Sequence, residues 1–482
     1  MSSLDRSAIE RQCRALFWDI YLPRGLAEVR DGMLLRCNYP ANWTLVVLEL
    51  KQGDPVFDLA FSALSISRVG RSNHDARLVK ESNKLYGRAL KALQRALGDE
   101  TRMHTDEMLA ACSVLGLYEV FEGGCDFNQS VGWISHAEGV AGLIKLRGPL
   151  RHRHRQAHHF FLGARLPIIY SAIVRRKRTF LADHDWHEVP FQQAIKGYQE
   201  RFVDLFTRLP GLLEDFDDLR ARVHASTAQA QITRLLSDCR TYQAQLTKWD
   251  QGRKQQSLPV STAHEKPTPD DEYPWSTEWK WENHIFLNAS LTYWSAQLVI
   301  AVTISQIECL LASLGFATPD AYERIASEQR RARRFAVCIA QAIPYALMPS
   351  MGALGINYIT FPLCLAFKQF VEFSEGAVCT WLMKVCNEIR RQGVRMDSLQ
   401  AAVPSRKHQD NSSWTEPVVE SHTNVLFDKD VSIIKKEDSA SDEESNWSLS
   451  PTSVADDETF VPMFIYENPA KYYLDLTLVA PT

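Results

Sequence analysis

Residues 78–97 read LVKESNKLYGRALKALQRAL, a stretch whose apolar side chains recur at intervals of three and four positions. This spacing places them on one face of an α-helix, and Gly98, directly after Leu97, is a typical helix terminator. The stretch therefore predicts an amphipathic helix that packs against a core.

The segments around it repeat this pattern. Thr105 can cap a helix that runs to Gly123, because two acidic residues follow it and are favourable at the positive end of a helix dipole. A further helix is predicted over 133–144, ending at Gly148. No run of alternating apolar and polar residues is long enough to predict a sheet. The expected fold class is all-α, an irregular stack of helices.

One later helix start is signalled by Thr318, Pro319 and Asp320. The threonine is a suitable cap, and proline is favoured at the first helical position because its missing N–H is not needed there. The sequence therefore predicts a helix that begins at Pro319.

Length and composition suggest how the chain is divided. It has 482 residues, 45% of them hydrophobic, which is about three times the ~150 residues of a common domain. Two polar, proline-bearing stretches lack helical periodicity. The predicted layout is a first helical half (1–250), a polar linker loop (251–274), a second helical half (275–402), a disordered acidic tail (403–459) and a short apolar C-terminal segment (460–482).

Charge argues against a dedicated nucleic-acid binder. The net charge is −4, whereas such proteins usually carry a basic excess to neutralise phosphates. The segment 428–458 holds ten acidic and three basic residues, so the rest of the chain is close to neutral.

The sequence gives no sign of secretion or membrane insertion. Residues 1–10 lack the apolar core of a signal peptide, and the ten cysteines are scattered, as expected for reduced core residues. The most apolar stretch, 285–317, is interrupted by Asn288, Gln297, Gln306 and Glu308, so it predicts a buried helix and not a membrane span. An intracellular protein is expected.

Common catalytic motifs are absent from the sequence. It has no G-x-S-x-G nucleophile turn, phosphate-binding loop, G-x-G-x-x-G turn or H-E-x-x-H zinc helix. The acidic strings 215–218 and 270–272 lack the further carboxylate, one helical turn on, that would complete a magnesium site. The sequence therefore predicts no catalytic, cofactor-binding or metal-binding residue.

Three groups of basic or histidine residues remain as candidates. In the cluster 151–159, His154 and His158 have the spacing of a zinc pair, but neighbouring arginines repel a cation, so a solvated basic loop is the favoured interpretation. The run 175–178 ends a helix, where cations are ordinary dipole partners; nuclear import or phosphate binding is the alternative. His136 is interpreted as a hydrogen-bonded residue on a helix face and not as a catalyst.

The string 135–149 (SHAEGVAGLIKLRGP) fits the pattern H-x-x-G-x-x-x-L-x-x-x-R-G-P. Further strings lie before and after it, over roughly residues 10–400: 63–68, 86–90, 176–181, Trp186, Pro190, 343–345, 361–363, Trp381 and Ile389. Together, and in this order, they resemble the regulatory domain of the fungal zinc-cluster transcription factors. The resemblance implies a helical regulatory domain.

In that family a DNA-binding module with two zinc ions and six cysteines accompanies the regulatory domain. The module needs Cys-x-x-Cys pairs, and this sequence contains none. We therefore expect no direct sequence-specific DNA contact. An upstream exon missing from the gene model is the alternative explanation.

The acidic tail offers a second means of contact with partners. Its isolated aromatic and apolar residues could fold into a coactivator groove, although a plain solubilising linker is an equal alternative. Lys435 lies in a SUMO-acceptor pattern, and Ser439 and Ser441 precede acidic residues as casein-kinase-type targets do. These three are the candidate modification sites.

The sequence as a whole predicts a non-enzymatic transcription regulator in the nucleus, with the cytoplasm as the alternative. Its expected partners are other transcription factors or coactivators. The expected assemblies are a homodimer, or a heterodimer with a zinc-cluster factor, and no membrane is involved. The resemblance suggests control of a metabolic gene cluster, such as one for a secondary metabolite. The alternatives are an all-α enzyme or small-molecule-binding protein of unrecognised chemistry, and a decayed regulator without function.

Overall fold

The computed structural model describes residues 3–24, 47, 50, 53–123, 131–222, 228–253, 255–264 and 272–395. These residues belong to one compact unit. The predicted acidic tail (403–459), the C-terminal segment (460–482) and the candidate modification sites Lys435, Ser439 and Ser441 lie outside the described residues.

Helices dominate the described residues, which confirms the all-α prediction. The first ten are α1 Ser3–Tyr21, α2 Pro55–Ser72, α3 Ala76–Leu97, α4 Asp106–Glu122, α5 Val131–Arg147, α6 Arg155–Arg175, α7 His184–Glu188, α8 Tyr198–Phe206, α9 Leu209–Ala221 and α10 Ala228–Gln251. After a two-stranded sheet come α11 His284–Ser313, α12 Ala321–Gln341, α13 Ile343–Ala346, α14 Gly352–Glu372 and α15 Gly376–Arg391. Short 3-10 helices at Pro149–Arg153, Phe180–Ala182, Val189–Phe191, Gln255–Ser257 and Pro349–Met351 join some of them.

Local sequence signals explain some of the helix ends. The α3 prediction is confirmed, because the helix ends at Leu97 with Gly98 as its C-cap, while the Asp75 carboxylate accepts the N–H groups of the first turn. Helix α4 begins after Thr105 as predicted, although the threonine hydroxyl donates to the Arg102 carbonyl (2.8 Å) and does not cap the helix. Helix α5 ends before Gly148, whose φ of +73° lies in the region that favours glycine.

The prediction of a helix that begins at Pro319 is wrong. Helix α12 begins at Ala321, with Asp320 at the N-cap position. The Ala321 N–H donates to the Thr318 carbonyl at 2.9 Å. This bond closes a turn that includes Pro319 and delays the start of the helix.

The polar linker predicted over 251–274 is not entirely loop. Strand β1 (Val260–Ala263) pairs antiparallel with β2 (Thr277–Lys280), with Val260 opposite Lys280 and Ala263 opposite Thr277. Sequence periodicity missed these strands because each has only four residues and β1 is mostly exposed, so neither shows a buried face that alternates.

Helix α11 is the centre of the second half and confirms the prediction of a buried helix. Almost all residues from Leu287 to Glu308 are buried. It packs against α10, α12 and α14. This helix and the segment Pro349–Glu372 are long and apolar enough to cross a membrane, but 78% and 72% of their most apolar windows are buried inside the protein, as in core helices.

The polar residues that interrupt the apolar sequence of α11 have partners in the core. The buried Glu308 carboxylate accepts two bonds from Arg324 (2.8 and 3.0 Å) and is also paired with Arg240. The Gln297 side chain donates to the Tyr293 hydroxyl (3.1 Å) and accepts from Arg331 (3.2 Å). These bonds offset the cost of burying polar groups and connect α11 with α10 and α12.

Long-range contacts join the first half of the sequence (1–250) to the second half (275–395) within one compact unit. Arg68 on α2 is 2% exposed, and its guanidinium donates to the carbonyl oxygens of Gly393 (2.7 Å) and Gln392 (3.1 Å), just beyond α15. It also lies over the Phe121 ring, 4.6 Å from the centroid. At the end of α1, the Arg24 N–H donates to the Ser350 carbonyl (2.8 Å). Both ends of the described chain therefore pack against the opposite half.

Candidate functional site

A cavity of about 180 Å³ lies between the two halves. Side chains from α1, α4, α5, α6, α11 and α14 form its walls. Packing of α1 against α2 and α14, and of α5 against α4 and α6, brings these helices together. The cavity is partly enclosed, with the exposed Pro167 and the half-buried Trp133 and Tyr358 among its lining residues.

Most of the wall is apolar or aromatic. The rings of Tyr170 on α6 and Phe361 on α14 are stacked with their centroids 4.1 Å apart. Trp133 and Phe160 contribute further aromatic surface. Among the lining residues that the structure describes, none is Asp, Glu, Lys or Arg. Such a wall favours contact with an apolar molecule.

His136 and Cys112 form the most chemically distinctive part of this wall. The His136 Nε2 atom lies 3.2 Å from the Tyr86 hydroxyl, so the interpretation of His136 as a hydrogen-bonded helix-face residue is confirmed. The Cys112 thiol donates to the His136 backbone carbonyl (3.6 Å), and its sulfur lies 4.0 Å from the His136 Nδ1 atom.

Burial keeps both groups neutral at pH 7. It raises the pKa of the Cys112 thiol to about 12 and lowers the pKa of His136 to about 4. A Cys–His nucleophile needs the opposite shift, because the thiolate is the reactive form. The pair therefore adds no charge to the cavity wall at pH 7.

The lowered pKa of His136 predicts a pH-dependent stability. An unfolded histidine binds a proton near its ordinary pKa of 6.5, whereas folded His136 stays neutral down to about pH 4. The unfolded state therefore binds more protons between these values, and the free energy of unfolding falls as the pH is lowered, with His136 contributing up to about 3 kcal/mol. We expect His136→Gln to remove this part of the pH dependence in urea unfolding measured at pH 7, 6 and 5.

The matched control is His184→Gln, at an exposed position. It should leave the slope of unfolding free energy against pH as in the wild type. Equal slopes for the wild type and His136→Gln would contradict the assignment.

The basic run 175–178 is paired within the protein. Arg176 makes a two-pronged contact with Asp217 on α9 (2.7 and 2.8 Å), and Arg178 contacts Glu214 and Asp215, both at 2.6 Å. Lys177 also reaches Glu214, at 3.1 Å, and Arg175 pairs with Glu138 on α5. Asp215 and Asp217 of the string considered for magnesium thus pair with the basic run considered for phosphate, and together with Glu214 they hold α9 against the end of α6.

The prediction of a solvated basic loop over 151–159 is wrong for two of its histidines. His152 is fully buried and donates from Nδ1 to the Ala157 carbonyl (3.0 Å). His158 is also buried and donates to the His152 carbonyl (3.1 Å). The 3-10 helix before α6 turns His152 toward Phe161, and α6 itself places His158 against Phe191, while Arg151 and His154 stay exposed. His154 and His158 therefore do not share a site.

Across the part of the chain that the structure describes, no three His, Cys, Asp or Glu side chains are grouped closely enough to hold a metal ion. The cavity was not visible in the sequence, because most of its lining residues read as ordinary core. The one available signal was that His136 and Asn288 interrupt otherwise apolar helix faces, and both line the cavity.

Comparisons with known proteins agree with the resemblance found in the sequence. The model of the fungal specific transcription factor domain matches residues 42–366. An uncharacterised protein of Emericella nidulans is 28% identical over 219 residues, which cover 43% of this chain and 46% of that relative. The chain thus spans less than half the length of this relative. No solved structure matches the chain. Since the family model covers about two thirds of the sequence, the chain belongs to the family of the fungal specific transcription factor domain.

Proposed function

We propose that this protein regulates transcription in the nucleus through contacts with other proteins. It would dimerise or compete with a zinc-cluster factor that supplies the DNA contacts, and so control a metabolic gene cluster, such as one for a secondary metabolite. The match of residues 42–366 to the fungal specific transcription factor domain carries this proposal.

The cysteines support a role without a zinc module in this sequence. None of the ten is spaced as Cys-x-x-Cys. Of the eight that the structure describes, Cys13, Cys112, Cys239, Cys364 and Cys386 are buried. Burial raises the pKa of Cys112 and Cys239 to about 12, which keeps these thiols protonated, whereas zinc binds thiolates. Core packing accounts for them.

The basic run 175–178 likewise supports a role that does not depend on DNA contacts by this chain. DNA binding draws most of its affinity from cations that are free to neutralise phosphates. Here Arg176 and Arg178 are already held by carboxylates of α9, so a phosphate would have to displace those partners. This favours a regulator that contacts proteins over one that holds DNA through this run.

Gene deletion followed by transcript profiling tests the regulatory role. We expect a restricted set of transcripts to change several-fold under an inducing condition and to be restored when the full chain is returned. Unchanged transcripts under every inducing condition tested would refute the proposal.

Selection from random DNA with the purified, metal-free chain tests the mode of action separately. We expect no enriched sequence. Enrichment of one operator would show that the chain reads DNA by itself, and the protein-contact part of the proposal would then be abandoned.

A further inference from the structure

We infer that the cavity between the two halves is a binding site for a small neutral aromatic molecule that carries a hydroxyl or N–H donor. This inference does not rest on the proposed regulatory role, because binding is measured on the purified chain. It begins from the space that the helices leave at their meeting point and from the groups that line it.

Size limits the ligand. The cavity measures about 180 Å³. A dry apolar cavity of ~150 Å³ in another protein takes up one benzene ring. One substituted ring, or a small fused pair of rings, therefore fits here. The stacked Tyr170 and Phe361 rings, together with Trp133 and Phe160, offer aromatic surface against which such a ring can pack in offset or edge-to-face geometry.

The charge of the cavity lining limits the ligand further. The described residues of the lining include no acidic side chain, lysine or arginine, so a charged ligand would lose its hydration without gaining a counter-ion from them. His136 and Cys112 are both neutral at pH 7, so neither supplies a counter-ion for a charged ligand. A carboxylate or ammonium compound should therefore be rejected.

Hydrogen-bond acceptors at the wall explain why the ligand should carry a donor. Helix α6 contains Pro167, which has no N–H group. The carbonyl four residues earlier, that of Gly163, thus lacks its usual helical donor, and Gly163 lines the cavity. The amide of Asn288, also in the wall, adds a side-chain acceptor.

The probe for this site is 4-fluorophenol, titrated into the full chain and followed by fluorine NMR. We expect saturable binding with a Kd of about 1 mM or tighter, in keeping with its eight non-hydrogen atoms. Fluorobenzene, which lacks the donor, should bind about three- to tenfold more weakly, as expected for the loss of one hydrogen bond. No saturation should be seen with 4-fluorobenzoate at the same concentrations.

A matched pair of variants locates the binding. Val120 is half-buried and lines the cavity from α4, so Val120→Trp should fill it and weaken 4-fluorophenol binding at least tenfold. Leu310 is a half-buried residue of α11 that lies outside the lining, so Leu310→Trp should bind like the wild type. Circular dichroism of both variants checks the fold. Thr360→Leu, at another half-buried lining position, provides a second test should Val120→Trp fail to fold.

Three results would overturn the inference. The first is the absence of saturable 4-fluorophenol binding to the wild type. The second is unchanged affinity in folded Val120→Trp or Thr360→Leu, or an equal loss in Leu310→Trp. The third is binding of 4-fluorobenzoate as tight as that of 4-fluorophenol. None of these results would bear on the transcript-profiling experiment.

Discussion

Replacing Arg68 by alanine is expected to lower the free energy of unfolding by about 3–5 kcal/mol, because two charge-assisted hydrogen bonds in a buried site are lost together. The carbonyls of Gln392 and Gly393 would lose their donor, and the Phe121 face would lose its cation. Burial already lowers the pKa of Arg68 to about 10, which reflects how completely it is removed from water. Urea unfolding at pH 7 measures the change.

Arg77→Ala is the control for this experiment. The Arg77 side chain is 95% exposed and pairs with Asp75 at 3.7 Å, so its loss should change stability by less than about 1 kcal/mol. Hydrogen exchange adds a local measurement, since amides near Val394 should exchange faster in Arg68→Ala. Similar stabilities of the two variants would show that Arg68 does not hold the halves together.

Gly355→Ala is expected to destabilise the protein by about 3 kcal/mol or more, because the added methyl group has no space. A Cβ atom at this position would overlap the Ala346 carbonyl oxygen and lie 2.9 Å from the Cβ atom of Met351. The oxygen belongs to the backbone of α13, so α14 would have to move away from it. Since α14 carries Leu354, Asn357 and Tyr358, the cavity should widen or collapse, and 4-fluorophenol binding should be lost as well.

The same substitution at Gly87 is expected to have the opposite effect on stability. Gly87 lies inside α3, and a Cβ atom there would meet nothing within 4 Å. Alanine should therefore stabilise the helix by about 0.5–1 kcal/mol. Thermal unfolding of both variants compares the two, and a destabilised Gly87→Ala would argue against the described packing of α3.

Local physics made many of the helices predictable. The end of α3 follows from apolar spacing and from Gly98 at its C-cap, and α4 starts directly after Thr105, so both positions could be read from the sequence. The turn at Pro319 could not, because a Thr318 carbonyl bond to Ala321 competes with the threonine cap, and sequence alone does not rank these alternatives. The sequence pattern did not predict strand β1, because no alternating buried residues mark its pairing with β2.

The site depended on distant partners, which is why little of it was predicted. The hydrogen bond of His136 was expected, but not that its partner would be Tyr86 on α3. The burial of His152 and His158 follows from a short 3-10 helix and from rings on later segments, and neither can be seen in the basic cluster itself. The pairing of the basic run with α9 likewise joins residues about 40 positions apart.

The bond from Arg68 to Gly393 also has a consequence for how a newly made chain reaches its native state. It spans 325 positions, so at roughly 5–20 residues per second a ribosome needs about 16–65 s to make the intervening chain. During that interval α2 can already pack against α1, α3 and α4, but Arg68 still lacks its carbonyl partners, and the incomplete fold stays available to chaperones or to aggregation. Synthesis speed over this stretch should thus affect yield more than it affects the finished fold.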